Sequence, residues 1–102
     1  MLRAICLSLL LLAPVAAQAQ SFNCRYARSA DEVLICQDAA LGALDERMSA
    51  IYARLRNSLY GGARASLEAD QATWLRGRMA CGRDADCIAD SYRQRIRELQ
   101  NY

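Results

Sequence analysis

Histidine and lysine are absent from the 102 residues, and proline, phenylalanine and tryptophan occur once each. Without histidine there is no imidazole general base, so a Ser-His-Asp arrangement is ruled out. A GxSxG elbow, a glycine-rich phosphate loop and an HExxH pair are missing too. No segment alternates apolar and polar residues as a half-buried strand does. Charge of one sign is not in excess, with 13 basic residues against 11 acidic and a formal net of +2. That is not the concentrated basic face of a nucleic-acid binder. Every basic residue is arginine, whose fork suits carboxylates and phosphates; an all-arginine set is also the ordinary product of GC-rich coding.

The first fifth differs from the rest. Arg3 gives a positive start, Leu9 to Leu12 form an unbroken apolar run, Pro14 interrupts it, and Ala17-Gln18-Ala19 puts small residues where a signal peptidase reads. This predicts a signal peptide over residues 1–19 and a single domain over 20–102. The apolar stretch is short for a span of about 20 residues, so no stable membrane anchor is expected. The expected location is the periplasm or the outside of the cell.

Helix punctuation organises the remainder. Ser29-Ala30-Asp31-Glu32 reads as a capping box opening a short helix from about Ala30 to Gln37. Asp38 is a second N-cap. Beyond it Leu41, Leu44, Met48, Ile51, Leu55 and Leu59 recur in steps of three and four, which predicts a long helix to about Tyr60. Gly61-Gly62 marks a break. A third helix is expected over Ala63 to Ala80, with Leu67, Gln71, Trp74, Leu75 and Arg78 on one face. Gly82 suits a left-handed C-terminal cap, and Asp84 or Asp86 starts a fourth helix striped by Ile88, Tyr92, Ile96 and Leu99. The expected fold is all-α, a small antiparallel bundle of three to four helices braced by two disulfides.

The disulfides follow from the cysteine count. Cys24, Cys36, Cys81 and Cys87 remain after the signal, an even number in a small exported domain. A zinc site is disfavoured because no tight Cys-x-x-Cys knuckle and no histidine are present; neither a metal nor another cofactor is expected. Four cysteines allow three connectivities, and the sequence alone does not choose among them. Geometry favours Cys81–Cys87 across a tight turn, and Cys24–Cys36 if the lead-in folds back along the first helix.

Candidate chemistry is sparse. The carboxylate pairs Asp31/Glu32, Asp45/Glu46, Glu68/Asp70 and Asp84/Asp86 read as solvated or capping groups, so no catalytic residues are expected. Trp74 is expected in the core of the third helix, with the Arg78 stem along it. The turn Gly82-Arg83-Asp84-Ala85-Asp86 between Cys81 and Cys87 reads first as a stapled turn with capping aspartates. It also offers a rigid polar knob that loses little entropy on binding. Arg83, Asp84 and Asp86 are therefore the candidate partner-binding residues.

Glu32-x-x-Ile35-Cys36 and Gln71-x-x-Trp74-Leu75-x-x-Arg78-x-x-Cys81, together with Phe22, Cys24, Asp38, Leu41, Leu44, Asp45, Tyr52, Cys87, Tyr92, Arg95, Ile96 and Leu99, give residues 22–99 a wider pattern. In it the chain resembles the LprI-type lysozyme-inhibitor domain family of exported bacterial proteins. The resemblance implies a small helical disulfide-containing domain in the cell envelope, with a protein partner, lysozyme for the type that names the family. The namesake type is lipid-anchored. A lipid-attachment cysteine is not found after the signal here, so a soluble protein is expected. The competing expectation is a structural or stress-related envelope protein with no enzyme target.

Overall fold

The computed structural model describes residues 21–102; the expected signal peptide and its cleavage at Ala19 lie outside the described residues. After a 3-10 turn at Cys24–Tyr26 come four helices: α1 Ala30–Gln37, α2 Ala39–Ser58, α3 Gly61–Ala80 and α4 Ala85–Gln100. No strand occurs among the described residues. The bundle is all-α and carries both disulfides, Cys24–Cys36 and Cys81–Cys87, the pairing that geometry favours.

Polar caps separate the helices. Asp38 has extended backbone, and its side chain accepts from the N–H groups of Ala40 and Leu41, which starts α2 and keeps it distinct from α1. Asp84 does the same for α4, accepting from Cys87 N–H at 3.1 Å. Gly82 follows α3 with φ +59°, a conformation open to glycine because it has no Cβ. Ser29 behaves differently from a capping box. Its hydroxyl donates to Glu32 Oε1 at 2.8 Å and makes no cap bond to the backbone. The break between α2 and α3 also falls earlier than the Gly-Gly pair, at Leu59-Tyr60. Gly61 turns the chain with φ +55° and is already the first residue of α3.

The core is built from one stripe of each helix. Ile35 of α1, Leu41 and Met48 of α2, Leu67 of α3, and Ile88, Tyr92, Ile96 and Leu99 of α4 are buried together. Helix α4 packs most extensively on α2, whereas α3 touches α2 sparingly. That unequal packing leaves a cleft on one side of α3 and a smaller hollow on the other.

Candidate functional site

The centre of the domain is ionic. Arg78 of α3 donates from Nε to Asp31 Oδ2 at 2.8 Å and from Nη1 to the Tyr92 hydroxyl at 3.0 Å. Tyr92 in turn donates to Asp45 Oδ1 at 2.8 Å. The backbone N–H and hydroxyl of Ser21 then donate to the two oxygens of Asp45 at 2.6 and 2.7 Å. The Arg78 guanidinium lies 5.5 to 5.9 Å from the ring centroids of Phe22, Trp74 and Tyr92, within cation–π range. Asp31, Asp45, Arg78 and Tyr92 are all buried.

Such burial is tolerable because each charge has a partner. Burial pushes the Asp31 carboxyl up, but hydrogen bonding with Ser29 and Arg78 and the nearby Arg78 charge outweigh it and hold its pKa below the usual range. Burial opposes the charge on Arg78 as well. The Tyr92 oxygen and the Asp31 carboxylate more than compensate, and its pKa is raised. The Tyr92 hydroxyl is pushed up mainly by burial, with Arg78 pulling down and Asp45 pushing up. At neutral pH it is protonated, as its donation to Asp45 requires.

A second layer lies beside the first. Arg95 donates from Nε to Gln71 Oε1 at 2.9 Å and from Nη1 to Glu98 Oε2 at 3.1 Å, and Gln71 Nε2 points to Met48 Sδ at 3.3 Å. These contacts correct two expectations. Asp31 and Asp45 are not solvated surface carboxylates; they are sealed structural anions. Trp74 is half-buried and not a full core residue: its indole N–H donates to the Ser91 carbonyl at 3.0 Å, and its ring meets Tyr92 edge-on at 5.1 Å.

Two exposed features lie near the Cys81–Cys87 end of α3. A cleft of about 690 Å³ opens between the lead-in, α1, α2 and α3, with Phe22, Glu32, Tyr52, Gln71, Leu75 and Met79 in its wall. Leu75 and Met79, one turn apart on α3, are 36% and 56% exposed. Four residues beyond Met79 stands Arg83, exposed on the turn closed by Cys81–Cys87. Asp84 and Asp86 are exposed on the same turn, Asp84 as the α4 cap and Asp86 in the first helical turn. The turn therefore keeps the three predicted partner-binding residues together, one of them engaged in capping.

Asp31, Asp45 and Arg95 are buried polar residues that the search for surface carboxylate pairs does not identify. Their signal was position: Asp45 follows Leu41 by four and precedes Met48 by three, so it stands on the apolar stripe itself. Arg95 is placed likewise between Tyr92 and Leu99.

Four helices closed by two local disulfides around a sealed Asp-Arg-Tyr-Asp chain define a small disulfide-braced helical domain. Residues 24–99 match the family described as Lysozyme inhibitor LprI. The chain belongs to that family. Among its relatives are proteins named Lipoprotein LprI from Mycobacterium bovis and Mycobacterium tuberculosis, each 34% identical over 83 residues, covering 78% of this chain. The chain spans 41% of the length of these relatives. No solved structure matches it.

Proposed function

We propose that this protein is an exported binding module that inhibits a lysozyme or a similar protein of the cell envelope, acting from the periplasm or outside the cell as residues 20–102. The observation that carries the reading is Arg83, exposed on a disulfide-closed turn. Met79, exposed near the end of α3, precedes the turn by two residues. Arginine is a frequent anchor in protein interfaces. A glycosidase cleft of the lysozyme kind holds two carboxylates, and an arginine fork donates two parallel hydrogen bonds to one of them. The closed turn holds that geometry before contact, which lowers the entropy lost on binding. The family assignment supports an inhibitor and not an enzyme.

The test is lysozyme activity against the purified, oxidised protein and its Arg83→Ala and Asp86→Ala variants, with helicity checked by circular dichroism. Arg83→Ala is expected to weaken inhibition at least tenfold, equivalent to about 1.4 kcal/mol. Inhibition that survives within about twofold removes this turn as the contact. If the wild-type protein leaves lysozyme unaffected, a structural or stress-related role in the envelope takes its place. Intact-mass analysis of exported material is expected to show a chain starting at Gln20, and a retained Met1 would refute processing.

A further inference from the structure

The hollow on the far side of α3 has a chemistry of its own. It is an open hollow of about 290 Å³ lined by Asp70, Thr73 and Trp74 of α3 and by Arg95 and Glu98 of α4. Arg95 is only 3% exposed. Two of its guanidinium nitrogens are engaged by Gln71 and Glu98, whereas Nη2 is buried with no hydrogen-bond partner among the described residues. A buried, unsatisfied guanidinium N–H is costly and calls for an acceptor. Nη2 is closed to solvent, so an acceptor reaches it only if a wall side chain moves; Glu98, its side chain 47% exposed and bonded to Arg95 Nη1 and Gln94 Nε2, is the one whose displacement the site requires. Trp74 is held in place by its bond to Ser91 and by the Tyr92 ring, so the part of it that lines the hollow is a fixed apolar surface.

The ligand class follows from these groups. Asp70 and Glu98 repel an anion such as a phosphate or a free carboxylate, and Arg95 repels a simple cation. What fits is a neutral molecule with an apolar face for Trp74, a hydroxyl donor for Asp70 and a carbonyl acceptor for Arg95 Nη2. The volume matches one ring, at the small end of ligand sites. The geometry points to a binding site for a single acetamido sugar ring between α3 and α4, separate from the Arg83 turn and independent of lysozyme inhibition.

Trp74 is the only tryptophan, so its emission reports on this hollow. The probe is the β-1,4-linked dimer of N-acetylglucosamine, titrated against the purified oxidised protein while Trp74 fluorescence and backbone amide NMR shifts are followed. A saturable response with Kd on the order of 1 mM is expected, with shifts centred on Asp70, Thr73 and Arg95. Asp70 is exposed, so Asp70→Ala should keep the wild-type melting temperature and bind at least fivefold more weakly. Arg83→Ala should bind as wild type. No saturable response up to about tenfold above that concentration would overturn the assignment, as would unchanged affinity in Asp70→Ala or shifts centred elsewhere. The same dimer of glucose, which lacks the acetamido carbonyl, should bind at least threefold more weakly; equal binding would overturn the role of Arg95.

Discussion

The hydroxyl of Tyr92 lies between Arg78 and Asp45, accepting from the first at 3.0 Å and donating to the second at 2.8 Å. One oxygen thus joins α2, α3 and α4 at the buried centre of the bundle. It also joins the two acidic anchors, because Arg78 carries the connection on to Asp31.

Tyr92→Phe preserves the ring and its edge contact with Trp74 while removing that oxygen. Arg78 Nη1 and Asp45 Oδ1 each lose a partner. The cost should be about 1–3 kcal/mol, read as a lower urea midpoint with an unchanged slope. An unmoved midpoint would show that the hydroxyl contributes nothing to stability.

Acid should weaken the domain in a defined way. The Asp31 pKa in the folded state is below its ordinary value of 3.8, so the unfolded chain takes up the proton first as pH falls. The stability due to this group is fully present above the ordinary value and is lost as pH falls through the lower, folded value. Melting temperatures between about pH 6 and pH 2 should show the loss in the wild type. Asp31→Asn should start less stable at neutral pH, since Arg78 loses its buried counter-charge, and should then show a shallower acid dependence. An identical acid slope in the variant would remove Asp31 as the source.

Replacing Cys81 and Cys87 together by serine should lower stability by about 2–3 kcal/mol in the chain-entropy model. The helices should remain, because Asp84 and Gly82 still punctuate the α3–α4 turn. Chemical denaturation under non-reducing conditions measures the difference. Peptide mapping of the wild type should recover only Cys24–Cys36 and Cys81–Cys87 links.

Trp74 separates packing from hydrogen bonding. Trp74→Phe should cost about 1 kcal/mol, chiefly the bond to the Ser91 carbonyl. Trp74→Ala should cost about 3 kcal/mol, near the lower end for large aromatic truncations because the ring is only half-buried. If the two variants melt together, the ring contributes no packing energy.

Where local chemistry decides, the sequence was readable. Asp38 and Asp84 have side chains made for capping, Gly82 has the freedom its φ needs, and the stripe of Ile88, Tyr92, Ile96 and Leu99 repeats with the helical period. The buried charges were harder to foresee. Asp31 finds Arg78, and Tyr92 finds Asp45, each across 47 residues of chain. A periodicity argument sends charged residues to water unless their partners are known, and on that rule Asp45 goes to solvent although it stands in register with Leu41 and Met48. Ser29 deviated for a local reason: its hydroxyl is drawn to the Glu32 carboxylate and does not cap the backbone. The placement of Arg83 on an exposed turn was legible from the flanking cysteines, whereas the Arg95 hollow depends on how α4 lies against α3.

Both disulfides join neighbouring cysteines along the chain, one before Gly61 and one after it, while the Asp31–Arg78 and Asp45–Tyr92 contacts cross that midpoint. A chain emerging N-terminus first can oxidise Cys24 with Cys36 before the second pair arrives. Once residues 1–19, which carry Cys6, are removed as proposed above, pairing in order of arrival is the native pairing and no wrong link has to be undone. The covalent work is complete within each half, and the union of the halves is left to reversible contacts that can separate and try again.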